Sequence, residues 1–200
     1  MEDCPVAELR RESALSGFVT AGVRGVDHPH KAGVHLTEWT PSALAQINGA
    51  PDESALTTLM NADNAFTATA AIKTSIGEFL WNGPGRWLVV SQSHTPDNLI
   101  AELEQRLDAS DSTVTDLSHA RTVARVDGPK GVELLCKLCP LDIERMPVTA
   151  SSTSLIGQLT VQIHRRTNTS FDMYVFRSFG VALFESLIDE AREFGIHIDL

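Results

Sequence analysis

The sequence predicts an α+β protein in which split βαβ units form an antiparallel sheet with helices on one face. The main observation is the order of patterns after residue 86, which is strand, helix, strand, helix, strand, strand, helix. Residues 196–198 suit a further short strand. No low-complexity segment or solenoid period is present in the sequence, so a repeat architecture is excluded.

Composition places the chain among folded, acidic, globular proteins. Its 200 residues are 42% hydrophobic and 21% charged, which is enough to bury a core. The net charge of −10 argues against nucleic acid and anionic membrane surfaces as partners, because both repel acidic proteins. No stretch approaches the roughly 20 apolar residues of a membrane helix. The acidic start has no apolar run and is unlike a signal peptide, so a cytoplasmic location is expected.

Residues 1–33 are predicted to form an extended N-terminal arm, and residues 34–200 a single domain. The arm is polar and rich in glycine, with several helix breakers between residues 21 and 30, although residues 2–14 suit a helical turn or more. Because such an arm has little core of its own, two alternatives stay open. It either packs on a partner or moves freely in solution.

Strand patterns dominate residues 34–90. Apolar and polar side chains alternate over residues 66–72, which is the period of a half-buried strand. Residues 83–85 (Gly-Pro-Gly) mark a turn, and residues 87–90 (Trp-Leu-Val-Val) form an apolar run that predicts a buried strand. Residues 121–126 predict another strand further along the chain.

The first two predicted helices each begin at a capping residue close to a proline. Thr95 caps the first helix, and Pro96 occupies an early position where its missing N–H is tolerated. Asp127 or Gly128 caps the second helix, which Pro140 ends. The stripes expected to face the core are Leu99, Ile100, Leu103 and Leu107 in the first helix, and Val132, Leu135, Cys136 and Cys139 in the second.

The C-terminal part combines predicted strands with a third helix. Residues 143–154 are predicted as a loop, residues 155–164 as one strand buried on one face, and residues 173–176 as a buried strand. The last helix runs over residues 181–194, with Gly195 as its C-cap. Its inward residues are Phe184, Leu187, Ile188 and Ala191.

Cysteines and histidines that could bind a metal have more ordinary explanations. Cys136 and Cys139 lack the second ligand pair that a zinc site requires, and cysteine on an apolar helix stripe packs as a small hydrophobe. His28, His30 and His35 have no acidic or cysteine partner in fixed register, so a surface loop fits them better.

Two polar segments are predicted to be turns. Residues 116–119 (Asp-Leu-Ser-His) are adjacent in sequence and cannot converge as a catalytic triad, whereas Asp116 and Ser118 suit hydrogen bonds to local backbone. Residues 82–86 (Asn-Gly-Pro-Gly-Arg) precede a strand instead of a helix, unlike a phosphate-binding loop. The chain therefore shows no sign of binding FAD or NAD itself.

Several segments together resemble the folate-binding domain of the glycine-cleavage T-protein family. Residues 87–90 precede a helix and then residues 124–135 (Ala-Arg-Val-Asp-Gly-Pro-Lys-Gly-Val-Glu-Leu-Leu), in the manner of that family's strand, Gly-Pro turn and helix. Residues 163–166 (Ile-His-Arg-Arg) and 171–174 (Phe-Asp-Met-Tyr) correspond to its later strands. The resemblance covers roughly residues 78–198 and implies a folate-binding-domain-like fold.

Three segments resemble the gamma subunit family of heterotetrameric sarcosine oxidase. They are residues 85–89 (Gly-Arg-Trp-Leu-Val), 116–121 (Asp-Leu-Ser-His-Ala-Arg) and 171–178 (Phe-Asp-Met-Tyr-Val-Phe-Arg-Ser). This resemblance implies a structural subunit of an oxidoreductase complex. The complex oxidatively demethylates sarcosine to glycine with release of hydrogen peroxide, and it passes the one-carbon unit to tetrahydrofolate.

The same resemblance implies where cofactors and contacts lie. In that family FAD, FMN, NAD and tetrahydrofolate belong to the large alpha and beta subunits, and zinc belongs to the delta subunit. The alpha subunit would be the main contact of this chain, with the beta and delta subunits completing the complex. No catalytic, cofactor-binding or metal-ligating residue is then expected in this chain.

Two departures from the T-protein pattern concern the residues that would bind folate. That family carries a paired-Asp segment, whereas residues 73–80 hold only Glu78, out of register. The Tyr-Glu position reads Phe171-Asp172, one methylene shorter, so Asp172 is only a candidate folate contact. A free-standing folate-dependent aminomethyltransferase-like protein is the alternative. A folate-domain protein of iron–sulfur assembly is a third hypothesis, but its Lys-Gly-Cys-x-x-Gly-Gln-Glu-like loop is absent from the sequence.

Overall fold

The computed structural model describes residues 12–49 and 70–200, which contain twelve strands and three α-helices. The strands are β1 (Gly22–Arg24), β2 (Val34–Trp39), β3 (Ala43–Gly49), β4 (Ile72–Lys73), β5 (Glu78–Trp81), β6 (Arg86–Ser91), β7 (Ser112–Asp116), β8 (Arg121–Asp127), β9 (Ser151–Ile156), β10 (Leu159–Arg165), β11 (Phe171–Phe176) and β12 (Ile196–Asp199). The α-helices are α1 (Pro96–Arg106), α2 (Gly131–Leu138) and α3 (Gly180–Ala191), and 3-10 turns lie at Pro29–Lys31, Arg177–Phe179 and Arg192–Phe194.

The strands form two sheets. The larger sheet has the order β1-β12-β2-β8-β11-β10-β9, and the smaller sheet has the order β4-β5-β6-β3-β7. Neighbouring strands are antiparallel except β12 and β2, which run parallel. The predicted α+β class is confirmed. The prediction of one sheet was too simple, because strands β3 to β7 form a second sheet.

Four layers result from the way the sheets bury their faces. Helices α2 and α3 cover one face of the larger sheet, as predicted, and share its main core. The other face of that sheet contributes Val123 and Tyr174 to a small core with Leu44, Leu80 and Leu88 of the smaller sheet. Helix α1 covers the outer face of the smaller sheet. The side chains between the two sheets therefore form an inner core, which we call the inner layer.

Two of the predicted helices, α1 and α3, lie at the positions that their apolar stripes predicted. Thr95 caps α1 by accepting a hydrogen bond from the Asn98 N–H, and Pro96 follows it. All four predicted inward residues of α3 are buried. After a 3-10 turn, Gly195 has φ 71°, as expected of a helix C-cap.

The loop predicted at residues 143–154 was wrong at its C-terminal end. Residues from Ser151 onward belong to β9, and the single strand predicted at 155–164 is a hairpin that turns at Gly157 and Gln158. Ile156 and Leu159 pair across this two-residue turn, so the apolar alternation continues through it and hides it. Serine and threonine dominate β9, and its structure comes from pairing with β10.

Helix α2 differs from its predicted stripe by one residue. It begins at Gly131 with Lys130 at the N-cap position, so the cap predicted at Asp127 or Gly128 was wrong. It buries Leu134 and Leu135, with Cys139 buried at its end as expected. Cys136 is exposed, so its prediction as a core residue was wrong. Although the Cys136 side chain is exposed, nearby protein atoms partly remove its thiol from water and raise its pKa, and the negative charge of Glu144 raises the pKa further. Both effects disfavour the reactive thiolate.

The described part of the predicted arm packs on the domain. Strand β1 pairs with β12 at the edge of the larger sheet, and Leu15 and Val19 join the main core. Residues 2–11 of the predicted helical turn fall outside the described residues, and so do residues 66–69 of the predicted strand. The domain boundary at residue 33 stays a prediction. Among the described helices, none is long and apolar enough to cross a membrane.

Two turn glycines give a matched stability prediction. Gly85 and Gly157 both adopt the left-handed region, with φ 64° and 59°. A Cβ at Gly85 would lie 2.3 Å from the carbonyl oxygen of Gly49, whereas a Cβ at Gly157 would meet nothing within 4 Å. We expect Gly157→Ala to lower the free energy of unfolding by about 1 kcal/mol and Gly85→Ala by about 2 kcal/mol. Urea unfolding of both variants measures the difference, and equal losses would contradict a rigid contact with Gly49.

Candidate functional site

The candidate folate contact, Asp172, lies within β11 on the face that looks toward the smaller sheet. Its neighbours across the sheet are His164 on β10 and Arg125 on β8. Only 1% of Asp172 is exposed. A carboxylate at this depth must be paired or protonated, because removing an isolated charge from water is strongly unfavourable.

Arg125 pairs with both oxygens of Asp172. Its Nε donates to Oδ1 at 2.7 Å and its Nη2 donates to Oδ2 at 2.9 Å. The Nε of Arg166 lies 3.5 Å from Oδ2, and the Arg125 guanidinium stacks on Trp39 at 4.3 Å from the ring centroid. Burial alone would lower the pKa of Arg125, but hydrogen bonds and charge from Asp172 raise it overall. The Asp172 carboxylate is therefore not free to form a bidentate bond with a ligand.

Glu78, the other acidic residue considered for folate, lies across the inner layer on β5. Its Oε1 is 3.8 Å from the Nε2 of His164 and 3.9 Å from the Nζ of Lys73. Burial raises the pKa of Glu78, and the charges of Lys73 and Arg166 oppose this rise. The structure thus brings Glu78 and Asp172 to one polar cluster, which we call the Asp172 cluster: Glu78, Arg125, His164, Arg166 and Asp172.

His164 is the neutral member of the Asp172 cluster. Burial lowers its pKa to about 4, with further lowering by the charges of Arg166 and Lys73. Neither ring nitrogen has a hydrogen-bond partner among residues 12–49 and 70–200. The neighbouring Tyr174 hydroxyl is also buried without a partner in these ranges, and burial raises its pKa well above the ordinary value. Both groups are therefore uncharged at neutral pH.

The chemistry of the Asp172 cluster is that of a closed ion pair. Its carboxylate is neutralised by two arginines, and its histidine is too weak a base to accept a proton at neutral pH. Within the described residues no group of three or more His, Cys, Asp or Glu side chains is arranged to hold a metal ion. This geometry suits a structural role between the sheets.

The other candidates lie apart from this cluster. His28 precedes the 3-10 turn at Pro29–Lys31, and His30 lies within it. His35 lies in β2 with its ring edge-on to His197, 5.5 Å between centroids. The Ser118 N–H donates to Oδ1 of Asp116 at 2.8 Å, which confirms the local bond predicted for Asp116. The local bond predicted for Ser118 was wrong, because its hydroxyl bonds the backbone of Leu44 on β3. Residues 82–86 form the turn between β5 and β6, also as predicted.

Sequence reasoning did not identify Arg125 as the partner of Asp172. A signal was present, because Arg125 is a charged residue between the apolar Ala124 and Val126, and such a residue is seldom buried unpaired. The separation of 47 positions between Arg125 and Asp172 hid the pairing. The register of β8 and β11 places the two side chains opposite each other.

Comparison with known proteins supports the resemblance predicted from the motifs. No family model matches the chain. The sarcosine oxidase gamma subunits of Corynebacterium sp. strains U-96 and P-1 are 28% and 30% identical to it over 117 residues, which is 58% of this chain. The chain is similar to the gamma subunits of sarcosine oxidase. The match spans 56% and 57% of these two relatives, so it covers little more than half of their length.

Solved structures show the same fold. A chain of the heterotetrameric sarcosine oxidase from Corynebacterium sp. U-96, in complex with pyrrole 2-carboxylate, superposes with a TM-score of 0.72 at 24% identity. The superposition covers 82% of this chain and 86% of that one. The glycine cleavage system aminomethyltransferase T from Bartonella henselae gives a TM-score of 0.61 at 16% identity over 84% of this chain and 48% of that one. The similarity to gamma subunits and the T-protein-like fold, both predicted from sequence, are confirmed.

Proposed function

We propose that the chain is a non-catalytic gamma subunit of a heterotetrameric sarcosine oxidase. In this role it supports oxidative demethylation of sarcosine to glycine with release of hydrogen peroxide, and one-carbon transfer to tetrahydrofolate. The alpha subunit is its main contact, and the beta and delta subunits complete the complex. FAD, FMN, NAD, tetrahydrofolate and zinc belong to those partners, and the complex is cytoplasmic.

The observation that carries the non-catalytic part is the closed ion pair at Asp172. A folate-binding carboxylate has to present its oxygens to the ligand, whereas both oxygens of Asp172 accept hydrogen bonds from Arg125. Releasing Asp172 would leave two opposite charges buried and unpaired, which is strongly unfavourable. The chain thus keeps the folate-binding-domain-like fold, but Asp172 forms an internal ion pair with Arg125 and does not face a ligand.

Exposed aromatic residues around the end of β11 and the start of α3 support a partner surface there. Phe176 and Phe179 are 48% and 46% exposed, and they flank Arg177 where β11 leads into α3. Phe18 is 74% exposed and lines a shallow hollow together with Arg177 and Val181. Exposed apolar groups that lie together are typical of protein interfaces. This side of the chain is the surface on which we place the partner.

The alternative is a free-standing folate-dependent aminomethyltransferase-like protein. The similarity to aminomethyltransferase T favours it, but the superposition covers only 48% of that chain. Such an enzyme also needs an available carboxylate and a complete folate pocket. The closed state of Asp172 makes this alternative the weaker one.

Co-expression with the genes adjacent to its own tests the proposal. We expect a tagged chain to retain its partners and to elute as a yellow complex with flavin absorption bands that oxidises sarcosine. Glu78→Gln removes the other acid at the Asp172 cluster and is expected to leave sarcosine turnover unchanged, because this chain supplies no catalytic group. A colourless monomer that binds tetrahydrofolate would contradict the proposal and favour the free-standing enzyme.

A further inference from the structure

A cavity of about 520 Å³ opens between the two sheets, away from the Asp172 cluster. It lies where β11 ends and β8 begins, beside Phe176 and Arg121, which are cross-strand neighbours. Arg121 and Arg125 are four residues apart on the same strand, roughly 13 Å along it. Val123 and Tyr174 of the inner core lie between them. The cavity is therefore separate from the site considered for folate.

The charges that line this cavity are all positive. Arg86 and Arg121 both contribute, and no acidic side chain is among the described residues that line it. This is unusual for a chain with a net charge of −10, in which acidic residues outnumber basic ones. Glu12 and Glu38 line a neighbouring hollow that Arg121 also borders, but the described lining of this cavity carries positive charge only. Two cations there create a positive potential inside a recess, where low-dielectric walls strengthen it.

Arg121 differs from Arg125 and Arg165 because it has no hydrogen-bond or ion-pair partner among the described residues. Its Nε is buried without a hydrogen bond, and no described acidic residue forms an ion pair with it. The two comparable arginines are fully engaged: Arg125 pairs with Asp172, and Arg165 donates to backbone carbonyls such as those of Ile143 and Met146. Buried arginines are seldom left unpaired, because desolvation of the charge needs compensation.

Arg121 is nevertheless held in a defined position. Its guanidinium stacks on the Phe176 ring with 3.8 Å between the guanidinium carbon and the ring centroid. Arg121 is half-buried, and this partial burial lowers its pKa. Stacking occupies the flat face of the guanidinium group and leaves the N–H donors along its edge free to face a ligand. Arg121 is thus preorganised for an anion in its plane.

The remaining walls indicate what kind of molecule fits. Trp81 and Phe176 provide aromatic surface, and Gln162 and Thr153 provide polar groups on the facing strands. The Gln162 amide nitrogen already donates to Trp81 and Ser151, so its carbonyl oxygen is left to accept a hydrogen bond. The volume falls in the range of small-molecule sites. The lining therefore suits a small anion with a flat apolar part.

We propose that this cavity binds the carboxylate group of a small organic acid, with Arg121 as its anchor and Arg86 as a second cation. The fork of Arg121 matches the two oxygens of a carboxylate, and the aromatic walls contact the remainder of the acid. This site goes beyond the proposed subunit role. All of its lining residues belong to this chain. An experiment that disproves this site therefore does not disprove the subunit role, and the reverse also holds.

The test uses the full chain and benzoate as the probe, with benzamide as the neutral isostere. We expect benzoate to shift the Trp81 indole N–H resonance in a saturable manner, and benzamide to bind at least about tenfold more weakly, which corresponds to the loss of a charge-assisted hydrogen bond. Arg121→Met and Arg86→Gln are each expected to weaken benzoate binding, the former by about tenfold or more. Arg145→Met, at an arginine whose side chain is 89% exposed, is the matched control and should change nothing.

Thermal stability separates a binding role from a structural one. Methionine preserves the stem of Arg121 and removes an uncompensated charge, so Arg121→Met is expected to keep or raise the melting temperature while binding is lost. Undiminished benzoate binding by Arg121→Met, equal binding of benzamide, or no saturation with benzoate would each overturn the proposal. Exclusion of benzoate from the assembled complex would overturn the small-molecule assignment and give the site to an acidic side chain of a partner.

Discussion

Arg125→Met is expected to lower the free energy of unfolding by about 3–5 kcal/mol, because it leaves the buried Asp172 carboxylate without its bidentate partner. Arg166 cannot replace that pair, since its Nε lies 3.5 Å away and its side chain is 37% exposed. Urea unfolding followed by circular dichroism measures the loss. A change below about 1 kcal/mol would contradict a stabilising role for the Arg125–Asp172 pair.

The matched control is the double variant Arg125→Met with Asp172→Leu. Replacing both partners removes the isolated charge as well as the pair, so we expect most of the lost stability to return. Asp172→Leu alone leaves Arg125 without its carboxylate, but the side chain of Arg125 is 17% exposed and can still reach water. We therefore expect a smaller loss for this variant. Equal destabilisation by all three variants would show that shape, and not charge, decides stability here.

Acid is expected to destabilise the protein through His164. Its pKa is about 4 in the folded protein against an ordinary value of 6.5, because burial disfavours the charged ring. As pH falls below 6.5 the unfolded chain takes up a proton that the folded chain refuses, so stability decreases until about pH 4. The whole decrease amounts to about 3 kcal/mol, on the order of 1.4 kcal/mol for each pH unit of difference.

Glu78 opposes this effect to some degree. Burial raises its pKa in the folded protein, so lowering the pH protonates the folded form first and adds stability. Urea unfolding at intervals between pH 7 and pH 4.5 measures the sum. His164→Gln is expected to flatten the pH dependence markedly, whereas His28→Gln, at an exposed histidine, serves as the control and should leave it unchanged. An unaltered acid response in His164→Gln would contradict the assignment.

Local patterns explain why some elements were predictable and others were not. The stripe of α3 and the cap of α1 are set by residues within a few positions, so sequence alone located them. Strands β7 and β9 consist largely of serine and threonine beside a few apolar residues, and they exist because β3 and β10 pair with them. Cys136 shows a further limit, since the apolar residues of α2 allow two stripes one residue apart, and packing buries Leu134 and leaves Cys136 exposed.

The Asp172 cluster was predictable in part. Resemblance to a folate-binding domain pointed to Asp172 and Glu78, and the structure brings both into the same cluster. The closure of Asp172 by Arg125 depends on strand register, which no local pattern specifies. The same holds for Arg121, which has Phe176 opposite it on β11, whereas Arg125 has Asp172.

The position of β12 between β1 and β2 has a consequence for biosynthesis. Strand β1 pairs with β12 alone, so it has no partner in the sheet until residues 196–199 have left the ribosome. The larger sheet therefore cannot be completed before residue 199 has emerged, and β1 stays exposed to chaperones and neighbouring chains until then. Truncation before residue 196 removes only one short strand, yet it would also leave β1 without its strand partner among the described residues, while Leu15 and Val19 still contact the main core.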